Sequence, residues 1–230
     1  MTPKPRHGST IYCAAGPRIN PARFLLFPIV LIAFLAVSEA VKATGSPVIL
    51  ALGDSLTAGY GLSPEQSFPS QLEAALARNG IVARVVNGGV SGDTSAGGLA
   101  RLDWLLEDSP DLVIVELGAN DGLRGLDPDA TRRNLDGIVA RIRAAGAEVV
   151  LAGMRAPPNL GSEYGAAFAA LYPGLAEKHG VAYYPFFLEG VAANPALNQE
   201  DGIHPTAEGI AVIVENILPV VTDALTEAGQ

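Results

Sequence analysis

The chain has 230 residues, 49% of them hydrophobic and 17% charged, with a formal net charge of -9. That composition describes a globular chain with apolar material for a large core, and it excludes a disordered one. The acidic balance excludes a nucleic-acid partner bound through basic patches, and Cys13, the single cysteine, excludes an internal disulfide and a cysteine-based metal site.

Lys4, Arg6, Arg18 and Arg23 are basic, and no acid appears before Glu39. Phe24 to Val37 is an apolar run of 14 residues broken only by Pro28, short for a membrane span, which takes about 20 residues. A basic stretch, a short apolar stretch and then small residues predict a secretory signal over 1–43. Ser38-Glu39-Ala40 and Val41-Lys42-Ala43 offer cleavage after Ala40 or Ala43. The alternative is an uncleaved N-terminal helix that anchors the chain to a membrane. Cys13 precedes the apolar run and is misplaced for a lipoprotein cysteine. Removal of 1–43 takes away five basic residues and one acid and leaves a cysteine-free domain, 44–230, of net charge -13. The mature form is then expected to be exported, periplasmic or secreted, with no stable membrane span.

Val48 to Leu52 is a short apolar run with two β-branched residues, and it predicts a buried strand. It stops at Gly53, and Asp54-Ser55 follow at once. Ser67-Phe68-Pro69 reads as a helix start, Gln71 to Arg78 continues it, and Gly80 closes it. Val82 to Asn87 predicts a second strand. Gly88 to Ser95 is a glycine-rich turn into a helix with Leu99, Leu102, Leu105 and Leu106 on one face. Leu112 to Leu117 predicts a third strand, ending in Gly118-Ala119-Asn120-Asp121-Gly122. Asp127-Pro128 starts a helix that is apolar at Leu135, Ile138, Val139 and Ile142 and is stopped by Gly146. Glu148 to Gly153 is a fourth strand, and Arg155 to Gly161 a Pro-rich loop. Ser162 is expected to cap one helix running to Lys178. Val181 to Tyr184 is a short fifth strand, Pro185 to Asn198 is irregular, and the last helix spans Ala207 to Leu225. Apolar strands alternating with helices predict an α/β fold whose parallel sheet is covered on both faces.

In such a sheet, Gly-Asp-Ser after the first strand puts a hydroxyl at the carboxyl edge, where open α/β sheets take their ligands. Ser55 is either a nucleophile there or a turn and cap residue. A serine nucleophile needs a base, usually His. Of the three histidines, His7 lies in the leader and His179 reads as a C-terminal cap and dipole partner, which leaves His204. Asp201, three residues earlier with Gly202 between, can orient that imidazole from one tight turn. Their structural alternatives are an N-cap for the terminal helix and an exposed loop residue. Gly92 and Asn120, in turns at the same edge, offer a backbone N–H and a side-chain amide for an oxyanion; otherwise they are a turn glycine and an Asx-turn. Ala156, Pro157, Pro158, Leu160, Phe186 and Phe187 form either an apolar wall for an acyl chain or ordinary packing.

Gly53-Asp54-Ser55-Leu56, Gly92-Asp93-Thr94-Ser95, Gly118-Ala119-Asn120-Asp121 and Asp201-Gly202-Ile203-His204-Pro205 resemble, in order and spacing, the four blocks of the SGNH (GDSL) hydrolases. The resemblance covers essentially all of 48–225. Val115 to Gly125 looks closer still to the periplasmic multifunctional esterases of that family, which act as acyl-CoA thioesterase, lysophospholipase and arylesterase. The resemblance implies a three-layer α/β/α flavodoxin-like fold with a five-stranded parallel sheet and no metal or cofactor. It makes Ser55 the nucleophile of an ester or thioester hydrolase, His204 the base and Asp201 its orienting partner. The oxyanion hole it implies is the Ser55 and Gly92 backbone amides with the Asn120 side chain. The loop Leu123 to Leu126 would line the acyl site, and the substrate would be a small acyl ester, thioester or lysophospholipid. Asp54 shapes the turn. No Gly-x-Ser-x-Gly occurs in the chain, so the nucleophile elbow of the α/β-hydrolases is absent. Two other readings remain: an acyltransferase or deacetylase acting on cell-surface glycans, and a binding protein that kept the fold without the chemistry.

Overall fold

The computed structural model describes Met1 and residues 45–229; the expected signal segment, Ala40 and Ala43 with it, and Cys13 lie outside the described residues. β1 (Val48–Gly53) is buried at every position after Val48. β3 (Leu112–Glu116) is buried throughout, and β4 (Glu148–Ala152) at all but its first residue, as befits strands covered on both faces. β2 (Arg84–Gly89) and β5 (Ala182–Tyr184) are the edges of one five-stranded sheet of order β2-β1-β3-β4-β5. All its pairings are parallel. The order reverses at β1, so the carboxyl ends of β1 and β3 diverge around a crevice.

Eight α-helices surround the sheet among the described residues: α1 (Ser55–Ala58), α2 (Phe68–Arg78), α3 (Ser95–Leu105), α4 (Ala119–Leu123), α5 (Pro128–Ala144), α6 (Ser162–Ala169), α7 (Leu171–His179) and α8 (Ala207–Ala228). α2 packs on α8 to form one layer, and α3 and α7 pack on α5 to form the other. The result is a three-layer α/β/α architecture. α8 is long and apolar enough to cross a membrane by composition alone. It buries Ile210, Ile213, Val214, Ile217 and Val221 at helical spacing, which makes it the amphipathic core helix of a packed domain.

Three elements depart from the sequence expectation by more than one residue at an end. β2 begins at Arg84, not Val82, whose side chain is exposed, and it runs through Gly88 and Gly89. There the absent side chains let β2 approach its neighbours: a Cβ on Gly89 would lie 2.7 Å from Ala58 Cα. The expected helix 162–178 is two helices, with Gly161 rather than Ser162 at the N-cap. Pro173 explains the break: it has no N–H for the Ala169 carbonyl, and its ring crowds that turn. The terminal helix continues to Ala228, three residues past the expected end.

Candidate active site

The turn that carries Ser55 is built into the core. Asp54 caps α1 by accepting from the Leu56 N–H at 3.0 Å, and Asp54 and Thr57 are fully buried. Gly53 is the one residue type that fits before them. A Cβ there would lie 2.6 Å from Thr57 Cβ and closer still to Thr57 Oγ1 and Glu116 Oε2. Glu116, at the end of β3 and fully buried, accepts from Thr57 Oγ1 at 2.7 Å and from the Asp54 N–H at 3.2 Å. Burial, and then the neighbouring Asp54 charge, push the Glu116 carboxyl well above its ordinary range. Burial likewise lifts Asp54, to about 6, against the Leu56 N–H and the Asn120 amide, which favour its anion. The pair thus favours a neutral Glu116, which has no donor on Oε1, beneath the charge-bearing Asp54.

The loops after β2 and β3 are tied to this turn and to each other. Arg101 donates from Nε to Asp93 Oδ2 at 2.7 Å and from Nη2 to the Gly53 carbonyl at 3.0 Å. Asp121 accepts from the Ser95 N–H at 2.8 Å and the Ser95 hydroxyl at 2.5 Å. Asn120 Nδ2 donates to Asp54 Oδ2 at 2.9 Å, leaving its second N–H free to serve another acceptor. Gly92 adopts φ +81°, the left-handed region that suits glycine. Arg124 donates to its carbonyl at 2.8 Å. Ser55 opens α1, so its N–H is one of the donors that a helix start leaves without an intrahelical partner.

The fourth loop brings His204 to Ser55. His204 Nε2 lies 2.9 Å from Ser55 Oγ, and His204 Nδ1 lies 2.6 Å from Asp201 Oδ2. Gly202, at φ +67°, bends the chain. Asp201 Oδ1 then accepts from the Ile203 and His204 N–H groups at 2.9 and 3.0 Å. The His204 ring, followed by those backbone donors, holds the Asp201 carboxyl down to about 2. The cap of α8 is Thr206, so Asp201 is not its N-cap. His179, set aside above, sits in the last turn of α7 with Nε2 2.6 Å from Asp136 Oδ1.

Ser55, Gly92, Asn120 and His204 all line one cavity of about 630 Å³. A hydroxyl, an imidazole and a carboxylate in one hydrogen-bonded chain, beside amide donors, form the arrangement that activates a hydroxyl for acyl transfer. A profile of the GDSL-like lipase/acylhydrolase family matches residues 51–212. The chain belongs to that family. It is 46% identical over 186 residues to an arylesterase of Vibrio mimicus, covering 80% of this chain and 92% of that one. It is 43% identical over 175 residues to the thioesterase 1/protease 1/lysophospholipase L1 of Escherichia coli strain K12, covering 76% and 83%. The crystal structure of TesA superposes with a TM-score of 0.74 at 44% identity, covering 77% of this chain and 99% of TesA. This GDSL-family chain is a serine ester hydrolase.

The acyl-wall residues divide. Leu123, Ala156, Pro157, Pro158 and Phe186 line the cavity. Leu126 and Leu160 are not among its lining residues, and the Leu126 carbonyl accepts from the Tyr164 hydroxyl at 2.7 Å. Phe187 is fully buried, edge-on to Phe68 at 5.0 Å, and belongs to the core. Sequence reasoning missed Tyr60, Met154 and Arg155 in the lining. Arg155 places its guanidinium 4.1 Å from the centre of the Phe186 ring, so a cation covers part of the apolar wall. The position of Tyr60, five residues after Ser55, was the signal available for it.

Proposed function

We propose that the chain hydrolyses small acyl esters, thioesters or lysophospholipids through an acyl-Ser55 intermediate. The observation that carries this is the unbroken relay Asp201–His204–Ser55, at 2.6 and 2.9 Å, in the wall of a largely apolar cavity. His204 Nε2 takes the Ser55 proton as Oγ bonds to the acyl carbon. The charge on the carbonyl oxygen is met by the N–H groups of Ser55 and Gly92 and by the Asn120 amide. The imidazolium returns the proton to the leaving alkoxide or thiolate as the C–O or C–S bond breaks. Water, activated by the same imidazole, then releases the acid. Leu123, Ala156, Pro157 and Phe186 line the space for the acyl chain, and the relatives named arylesterase and thioesterase/lysophospholipase support that substrate range.

Residues 1–43 act as an export signal removed after Ala40 or Ala43, and the enzyme works outside the cytoplasm. N-terminal sequencing of the exported protein tests this reading, and retention of the leader overturns it. A panel of p-nitrophenyl and CoA acyl esters of increasing chain length tests the activity. Turnover is expected, with a loss of roughly four orders of magnitude or more in Ser55→Ala, and with an organophosphate adduct on Ser55 by mass spectrometry. Full activity in Ser55→Ala, or an adduct elsewhere only, overturns the mechanism.

A further inference from the structure

The loop that carries His204 has little packing to hold it. Asp201, Gly202 and Ile203 are all exposed, so hydrogen bonds and ring contacts must set where the imidazole stands. Beside His204 itself, the Gln199 side chain reaches from this loop to the segment that follows Ser55. Gln199 Nε2 donates to the Tyr60 carbonyl at 2.7 Å and to the Pro205 carbonyl at 3.0 Å. The Gln199 N–H donates to the His204 carbonyl at 2.7 Å, and the Thr206 N–H donates to Leu197 at 2.9 Å. Asn198 and Pro205 form a bridge that closes the base of the loop.

The receiving side is shaped for this contact. The Tyr60 N–H donates to the Ser55 carbonyl at 3.1 Å, so Tyr60 is anchored on the nucleophile's own turn. Gly61 has φ +75°, and a Cβ there would sit against Gln199 Oε1 and 3.0 Å from its Cδ. The Tyr60 ring lies against the His204 imidazole with centroids 4.4 Å apart and a 34° tilt. It does so while 53% exposed, so core burial does not account for its position. An aromatic face within about 6 Å of a cation attracts it, and His204 becomes a cation each time Ser55 gives up its proton.

We propose that Tyr60 and Gln199 form a clasp that fixes the His204 ring in register with Ser55, and that the Tyr60 ring stabilises the imidazolium formed during acyl transfer. The clasp rests on the acyl-Ser55 reading and deepens it. Both are positioning residues, acting through His204. Gln199 is not among the cavity-lining residues, so its loss should fall on kcat and leave KM unchanged.

Steady-state kinetics on a p-nitrophenyl ester, with Tm recorded for each variant, test the clasp. Tyr60→Leu is expected to lower kcat about tenfold, equivalent to about 1.4 kcal/mol, and Tyr60→Phe to restore most of that loss. Gln199→Ala is expected to lower kcat by a similar factor at constant KM, with little change in Tm. The double variant should lose less than the product of the two single losses, because both act on one ring. Wild-type kcat in Tyr60→Leu or Gln199→Ala overturns the clasp; a Tyr60→Phe as slow as Tyr60→Leu overturns the role of the ring. Each leaves the acyl-enzyme reading intact, which fails instead if wild-type enzyme forms no Ser55 adduct.

Discussion

The Ser55 turn and the His204 loop meet at one hydrogen bond, yet they are made in opposite ways. Residues 53–57 sit inside the domain, with Asp54 and Thr57 fully buried and ties to Glu116, Arg101 and Asn120. Residues 201–203 stand at the surface, and backbone and side-chain hydrogen bonds hold them. Ser55 and Asn120 stand on turns tied into the buried core, whereas Gly92 lies on an exposed turn that Arg124 and the Arg101–Asp93 pair hold in place. The imidazole needs only its orientation, which a solvent-facing turn supplies through Asp201. Damage to the first region should therefore cost folding and activity together, and damage to the second should cost activity alone.

The hardest test of that contrast is Gly53→Ala. Its Cβ has no space between Thr57 and Glu116, so a loss of about 3 kcal/mol or more is expected, along with nearly all ester turnover. Thermal melting and activity of the same preparation check both; a variant that melts like wild type breaks the contrast. Asp201→Asn comes next. The amide still accepts from the Ile203 and His204 N–H groups but cannot accept from Nδ1, so kcat should fall by roughly two to four orders of magnitude with the wrong tautomer favoured. Its Tm should stay close to that of wild type, because the turn is exposed. Asn120→Ala removes one oxyanion donor and should lower kcat by about 10²–10³ with KM little changed.

A further test of the buried turn is read in pH. Burial holds the Glu116 carboxyl well above its ordinary range, so above about pH 4.5 the folded chain keeps a proton there to higher pH than the unfolded chain does. Stability from this site is therefore present at low pH and is lost as pH rises, by at most about 1.4 kcal/mol per pH unit. Asp54, raised by its own burial, adds in the same sense. Melting curves from pH 4.5 to 8 should show wild type losing Tm relative to Glu116→Gln, whose side chain cannot ionise. Parallel pH profiles would place the charge on Glu116 in the folded state and remove the neutral clamp under the turn.

Much of this molecule is legible along the chain. β1, β3 and β4 are apolar throughout because both their faces are covered, and Asp127-Pro128 announces α5 by capping chemistry. The boundary errors have both local and long-range causes. Pro173 was readable as a helix breaker, whereas β2 runs through Gly88 and Gly89 because β1 packs against the first and the Asp54–Ala58 turn against the second, which no single stretch reveals. Within the site, elimination among three histidines singles out His204, and the Asp201-Gly202 spacing supplies its partner. Leu126, Leu160 and Phe187 could not be separated from Ala156 and Phe186 by composition, because an apolar side chain looks the same whether it faces a cavity or the core.

By itself the sequence determined the alternation of strands and helices, the acidic and cysteine-poor character of the domain, and the residue types able to perform acyl transfer. Those properties are local, fixed by hydrophobic period, turn chemistry and the short supply of histidine. Tertiary structure alone decided that Asn120 reaches Asp54, that Glu116 lies buried beneath the serine turn, and that Tyr60 and Gln199 contact the imidazole loop. The hydrogen bonds among these contacts join residues 59 to 139 positions apart, and they arise from strand order and the loop crossings it forces, which leave no trace in any one segment.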